Sequence, residues 1–104
     1  MTAETLNPEK VFDVLRNVID PEIQYNIVDL GLVYDVKTTD SGDVAIQMTL
    51  TSPACPFGPM ILHDVRECTL SLGAADVQIE LVWQPPWSPE LMSDEAKLDL
   101  GFDL

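Results

Sequence analysis

The chain has 104 residues, 46% of them hydrophobic, which is enough for one packed core and too short for two domains. Aspartate and glutamate number 18 against 5 lysines and arginines, so the formal net charge is -13. This charge disfavours binding to nucleic acids and to anionic membranes, and no apolar run approaches the ~20 residues of a membrane span.

The first part of the chain predicts a helix followed by a bend. Asn7 is suited to cap the helix, with Pro8 at the first helical position. The helix is expected to end at Asp20, because Pro21 disfavours helical geometry in the residue before it. Spacings of three and four predict its buried face, formed by Val11, Val14, Leu15, Val18 and Ile19.

The middle of the chain predicts a hairpin, a helix and a third strand. Alternating apolar residues predict strands over 32–37 and 44–50, joined by a turn at 40–43. Helical spacing predicts a second helix over 56–72, closed by Gly73. Alternation returns over 77–83 and ends at Pro85-Pro86.

The tail predicts short helices that begin near Ser88 and Ser93. The element order of helix, hairpin, helix, strand and short helices indicates an α+β two-layer sandwich with a three-stranded sheet. We expect residues 1–104 to form a single domain.

Cys55 is the residue with the most distinctive position. It lies between Pro53 and Pro56, at the junction of a predicted strand and a predicted helix. Helix N-termini favour a thiolate, which is the form that attacks electrophiles or binds metal. The alternative is a small, partly buried turn residue.

The other thiol and the histidine carry weaker signals. Cys68 shares a helical face with Ile61 and Val65, which is typical of a small core residue. His63 is expected to face away from that stripe, and eight residues separate it from Cys55, about 12 Å along a helix axis. A Cys/His catalytic pair is therefore disfavoured, and so is an enzyme that uses Cys55 as a nucleophile.

The N-terminus lacks the cationic and apolar pattern of a signal peptide, so a cytoplasmic location is expected. Two thiols placed on different elements fit a reducing compartment better than a disulfide.

Two further motifs have both a structural and a functional interpretation. Asp20-Pro21-Glu22 sets two carboxylates around a rigid bend, which is typical of a solvated turn and also suits binding of a hard cation. Trp87 follows Pro85-Pro86, and it is expected either to cover the end of the core or to contact a partner protein.

In five ordered blocks that span nearly the whole chain, the sequence resembles the SufT-type iron-sulfur cluster assembly family. The same domain occurs in phenylacetate-degradation proteins of the PaaD type and at the N-terminus of some P-loop cluster carriers. The chain has no cysteine after Cys68, whereas PaaD-like members carry a cysteine-rich extension, so the general assembly branch fits better. The blocks are residues 20–22, 27–34, 48–56, 83–87, and 92–93 with 100–101.

The resemblance implies an assembly-type α+β fold and a part in maturing or delivering iron-sulfur clusters. It implies that Cys55 is the reactive cysteine, with Asp20 and Glu22 as the matching acidic block. Clusters are normally held by four protein ligands, and one chain offers Cys55 and at most a carboxylate. A second protomer, a partner protein or a small thiol must then complete the ligand shell.

The leading hypothesis is a non-catalytic assembly or transfer factor that binds a cluster transiently. Cys55 would be the metal ligand, supported by Asp20 and Glu22. Its partners would be scaffold, carrier or client proteins, or a second copy in a homodimer. The alternative is a metal-free adaptor that docks a cluster carrier or client through Trp87 and the acidic surface.

Overall fold

The computed structural model describes residues 6–51 and 56–101, and it confirms the predicted α+β class. Within these ranges three helices are interspersed with the strands, and a short 3-10 helix spans Pro89–Leu91. The helices are α1 (Pro8–Leu15), α2 (Gly58–Ser71) and α3 (Asp94–Asp99). The strands are β1 (Ile19–Asp20), β2 (Tyr25–Asn26), β3 (Val33–Thr38), β4 (Asp43–Met48) and β5 (Asp76–Leu81).

The main sheet has the strand order β3-β4-β5. β3 and β4 form the predicted antiparallel hairpin, whereas β5 pairs with β4 in parallel, across the connection that contains α2. α1 contacts β3 and α2, and α2 contacts β5. The core lies between these helices and the inward side chains of the sheet, which are Val36, Val44, Ile46, Met48 and Val77.

The prediction that the first helix ends at Asp20 is wrong. α1 ends at Leu15, and Asp20 lies in β1, which pairs with β2 in a small antiparallel hairpin that was not predicted. The Ile27 N–H donates to the Val18 carbonyl at 3.0 Å. This contact and the pairing of Ile19 and Asp20 with Asn26 and Tyr25 come from residues that helical spacing does not take into account.

The other boundaries differ by a few residues. α2 begins at Gly58 instead of residue 56, and β5 ends at Leu81 instead of Trp83. Trp83 is 40% exposed, so it does not continue the inward face of the strand. The capping residues Asn7 and Ser93 act as predicted, accepting from the Lys10 and Ala96 N–H groups at 2.9 and 3.1 Å.

β5 forms one edge of the main sheet, and an arginine of α2 reaches it. Arg66 Nη1 donates to the Val77 carbonyl at 2.6 Å, and Arg66 Nη2 lies 3.9 Å from the Asp76 carboxylate. The Val82 N–H donates to the Met48 carbonyl, so the backbone groups of Val77, an odd number of residues away, point to the outer side. This edge carbonyl therefore has a partner within the chain.

Candidate functional site

The connection from β4 to α2 carries Cys55, and both of its ends are held in place. The Thr49 N–H donates to the Leu32 carbonyl at 2.8 Å, and Leu50 is buried. A Cβ on Gly58 would lie 3.0 Å from Leu50 Cδ1, so the start of α2 packs directly on the end of the strand. Cys55 itself lies outside the described residues, and its distance to Asp20 and Glu22 stays a prediction.

The Asp20-Pro21-Glu22 turn separates its two carboxylates. Asp20 is fully buried and its Oδ1 accepts from the Glu22 N–H at 2.8 Å, while the Glu22 side chain is exposed. The Gln24 N–H donates to the Asp20 carbonyl at 2.6 Å. Gln24 has a φ of 63°, a left-handed geometry that costs a non-glycine residue about 1–2 kcal/mol. The turn is therefore held tightly around a buried acid.

Two buried oxygens have no hydrogen-bond partner among residues 6–51 and 56–101. They are Asp20 Oδ2 and Thr51 Oγ1. A buried polar atom without a partner costs about 1–3 kcal/mol, so such atoms are rare and call for an explanation. Sequence reasoning singled out Asp20 but missed Thr51. The feature of the sequence that could have indicated Thr51 is its position directly before Ser52-Pro53, in the block that contains Cys55.

A series of backbone hydrogen bonds joins the two segments that hold these oxygens. The Thr49 N–H donates to the Leu32 carbonyl, the Leu32 N–H to the Ile27 carbonyl, and the Ile27 N–H to the Val18 carbonyl, at 2.8, 3.0 and 3.0 Å. Asp20 lies two residues after Val18, which forms one end of this series. Thr51 lies two residues after Thr49, which forms the other end. We call residues 27–32, which carry the series, the hub.

Residues 82–100, which we call the C-terminal strap, also attach to the hub. Trp87 Nε1 donates to the Leu30 carbonyl at 2.7 Å, and the Ser93 N–H donates to the Asp29 carbonyl at 2.8 Å. Trp87 is half-buried and packs against the core. Its indole N–H therefore anchors the strap, which fits the expectation that it covers the end of the core.

Gly31 lets the strap approach the hub closely. Its φ is 81°, and a Cβ at this position would collide with the backbone carbonyl of Leu91. Glycine is required here both for the left-handed backbone and for the contact.

Both tyrosines tie the strap to the rest of the molecule. Tyr25 donates to Asp99 Oδ2 at 2.8 Å, and this hydrogen bond, with smaller effects of desolvation and nearby carboxylates, raises the pKa of Tyr25 from 10.0 to about 12. Tyr34 donates to the Pro85 carbonyl at 2.7 Å. Burial raises the pKa of Tyr34, and the Thr49 hydroxyl beside it lowers that pKa in part.

The remaining candidate residues lie on α2. His63 is exposed, as predicted, and Cys68 is half-buried and packs against the core. Burial raises the pKa of the Cys68 thiol, and the charges of Asp64 and Glu67 raise it further. Both effects favour the thiol of Cys68 over its thiolate, which is the form that binds metal.

Within residues 6–51 and 56–101, no group of three or more His, Cys, Asp or Glu side chains is arranged to hold a metal ion. The same ranges contain no helix with the length and apolar character needed to cross a membrane.

Comparisons with known proteins agree with this architecture. A model of the family described as "Iron-sulfur cluster assembly protein" matches residues 8–81. The chain is 45% identical over 95 residues to the "Fe-S protein maturation auxiliary factor" of Porphyromonas gingivalis (strain ATCC BAA-308 / W83), covering 90% of each chain. It is 45% identical over 85 residues to the "Fe-S protein maturation auxiliary factor SufT" of Staphylococcus aureus (strain USA300), covering 81% of this chain and 97% of that protein.

A solved structure is also similar throughout. The crystal structure of a DUF59 domain from Bacillus anthracis superimposes with a TM-score of 0.86 at 41% identity, covering 92% of both chains. The family resemblance inferred from the five sequence blocks is confirmed. With its family match, its relatives and its fold in agreement, this chain belongs to the iron-sulfur cluster assembly protein family.

Proposed function

We propose that this protein is an iron-sulfur cluster assembly or transfer factor that holds its cargo transiently through the Cys55 thiolate. Asp20 supplies a buried oxygen beside this site, and Glu22 acts at the exposed rim of the same turn. The cluster is cargo in this proposal, passed between scaffold, carrier and client proteins.

The observation that carries the proposal is the buried, unpartnered Asp20 Oδ2 in a member of this family. Carboxylate oxygens bind iron, and Asp20 Oδ2 has no hydrogen bond among the described residues that a metal would have to displace. Asp20 Oδ1 is already occupied by the Glu22 N–H, so Oδ2 is the atom left to interact with the cargo. Thr51 Oγ1 is a second free oxygen on the strand end that leads to Cys55.

The supply of ligands supports transfer over permanent storage. A cluster is normally held by four protein ligands, usually thiolates, and Cys68 is less available because it is half-buried and packs against the core. Cys55 and Asp20 leave the shell incomplete within one chain. The missing ligands come from a second copy, a partner protein or a small thiol, and their exchange releases the cluster.

The proposal assigns the protein an accessory role in the cytoplasm, with no catalytic turnover of its own. A thiol that exchanges a cluster must stay reduced, which is the normal state of cytoplasmic thiols. The relatives named as maturation auxiliary factors support an accessory role.

Anaerobic reconstitution with ferrous iron and sulfide tests the ligand assignment. We expect Cys55→Ser to retain less than about one tenth of the wild-type iron, because a hydroxyl binds iron far more weakly than a thiolate. Cys68→Ser is the matched control and is expected to retain iron as the wild type does. If Cys55→Ser holds as much iron as the wild type, the ligand role of Cys55 is excluded.

The metal-free adaptor is the second candidate, and the exposed apolar side chains near the strap favour it. Trp83 and Leu91 are each 40% exposed on this part of the surface. If the protein is a metal-free adaptor, the wild type should retain no iron after reconstitution. The wild type and Cys55→Ser should then capture a cluster carrier or client equally well, and Leu91→Ser should lose that partner. Trp87→Ala is less informative than Leu91→Ser, because Trp87 anchors the strap through Leu30.

A further inference from the structure

An open groove of about 710 Å³ lies at the end of the sheet from which β4 leads toward Cys55. Its apolar walls come from the hub, β3 and the strap, and Gln47 of β4 forms part of its floor. None of the described residues that line it is charged. The volume lies within the range of about 300–1,000 Å³ typical of ligand pockets. The apolar wall residues are Val28, Val33, Val82, Pro85 and Leu91.

The solvent face of the sheet continues from this groove and is acidic. The strand register places Asp35, Gln47 and Glu80 in one row across the three strands. Gln47 is shared with the groove, and its Nε2 donates to Glu80 Oε1 at 2.9 Å. Two carboxylates therefore stand on either side of the groove floor.

Further along the same face, the charge is again mostly negative. Asp43 lies directly opposite Asp76, with Arg66 3.9 Å from Asp76 at the sheet edge. Lys37 lies 4.0 Å from Asp35, and the two side chains are 79% and 48% exposed, so this ion pair is weak and leaves Asp35 accessible to a second cation. Among the described residues, the open face thus presents four carboxylates, with Lys37 and the edge residue Arg66 beside two of them, next to an uncharged groove.

We infer that the groove and this acidic face together bind a polypeptide segment of a partner protein in which bulky apolar side chains adjoin lysine or arginine. The apolar side chains occupy the groove, and the cations lie over Asp35 and Glu80. That the segment belongs to a cluster client or carrier rests on the proposed function, whereas its chemistry rests on the groove and the acidic face.

The charge of the acidic face and of the groove distinguishes between the possible occupants of the groove. A second copy of this chain brings its own net charge of -13 to an acidic face, which disfavours self-association there. An anionic ligand finds no cation among the described residues that line the groove. A basic, apolar segment satisfies both regions, and the acidic face would speed its encounter with the protein.

The test uses two synthetic peptides of about twelve residues, a length typical of groove-binding segments. They share the same leucines and differ only in carrying lysines or glutamates at the remaining positions. We expect the lysine peptide to bind the full chain at least about tenfold more tightly than the glutamate peptide, measured by fluorescence anisotropy. Its affinity should fall severalfold as salt rises from about 0.05 to about 0.3 M.

Matched variants locate the binding. Leu91→Ser should weaken the lysine peptide about tenfold, while Leu98→Ser, on a 66% exposed residue of α3 outside the groove, should leave it unchanged. Glu80→Gln should weaken it about threefold, and Glu67→Gln on α2 should have no effect. Circular dichroism of each variant confirms that it folds.

Three results would overturn the inference. Equal affinity for the two peptides would mean that the groove binds apolar side chains nonspecifically and that the acidic face does not contribute. Unchanged binding by Leu91→Ser would place the peptide elsewhere. Sedimentation that shows a dimer sensitive to Leu91→Ser would make a second copy the occupant.

The same titration with Cys55→Ser separates this inference from the proposed function. We expect the variant to bind the lysine peptide as the wild type does, even where it has lost iron. Loss of iron with intact peptide binding supports both ideas, and intact iron in Cys55→Ser excludes only the ligand role.

Discussion

The Asp20 turn and the C-terminal strap both carried candidate residues in the sequence, and they differ in how their buried polar atoms are satisfied. In the strap, the Trp87 indole, the Ser93 N–H and the Pro85 carbonyl, which accepts from Tyr34, all have partners. In the turn, Asp20 Oδ2 has none among the described residues. A buried oxygen without a partner calls for an explanation, and under the proposed function that explanation is an interaction with the cargo.

This difference assigns separate tasks to regions that share one hub. The strap fixes the hub from one side, and the turn holds an acid at the other. A residue in the strap should therefore act mainly on stability, whereas Asp20 should act mainly on cargo binding. The following predictions test that separation, beginning with the largest effect on stability.

Gly31→Ala should produce a large loss of stability, matched only by that of Trp87→Ala. Alanine meets both an unfavourable φ and the Leu91 carbonyl, so we expect the free energy of unfolding to fall by about 3 kcal/mol. Gly73→Ala is the control, because Gly73 also has a positive φ of 99° but no atom within 4 Å of the added Cβ. Urea denaturation should give a loss of about 1 kcal/mol for Gly73→Ala. Equal losses would mean that the contact between hub and strap adds nothing.

Trp87→Phe should lower the free energy of unfolding by about 1–2 kcal/mol, because it leaves the Leu30 carbonyl without its donor. Trp87→Ala should cost about 3 kcal/mol, since packing is lost as well. Urea denaturation of both variants provides the measurement. Loss of partner binding at unchanged stability would instead make Trp87 a binding residue. It would contradict the assignment of the strap to stability alone.

Asp20→Asn should leave the free energy of unfolding unchanged or raise it by about 1 kcal/mol, because it removes a buried charge and keeps the Oδ1 acceptor. Iron retained after reconstitution should fall severalfold. Glu22→Gln, on an exposed side chain, should alter both quantities less. A large loss of stability with full iron retention would make Asp20 a structural residue.

The Tyr25 to Asp99 hydrogen bond should give the smallest effect, confined to alkaline pH. The pKa of Tyr25 in the folded protein is about 12, above the ordinary 10.0. The stabilisation by the hydrogen bond is therefore complete below pH 10 and is lost between pH 10 and 12. In a Tyr34→Phe background, tyrosinate absorbance should titrate near 12, and adding Asp99→Asn should lower that midpoint. A midpoint near 10 before the second substitution would show that the bond does not form.

Periodicity predicted the elements whose packing is local in origin. The α2 stripe of Ile61 and Val65 and the inward side chains of β4 are buried as their spacing indicates. The end of α1 was missed because Ile19 and Asp20 pair with Asn26 and Tyr25 of β2, which lie outside the helix. Sequence spacing contains no information about such a partner until the fold is known.

The same limit applies to the site. Asp20 was identified from its motif, but its complete burial depends on the hub, and Thr51 became notable only through its unpartnered oxygen. The anchoring role of Trp87 likewise depends on the position of the Leu30 carbonyl. Cys55, the residue on which the sequence placed most weight, remains a prediction.

The contact between Arg66 and the Val77 carbonyl bears on how the protein behaves at high concentration. An edge strand with free backbone groups is a template for pairing with other chains, which leads to aggregates. Arg66 occupies one of these groups on β5, and the carboxylates of Asp76 and Glu80 repel a like-charged neighbour. Both features protect the β5 edge from pairing with further copies of this chain.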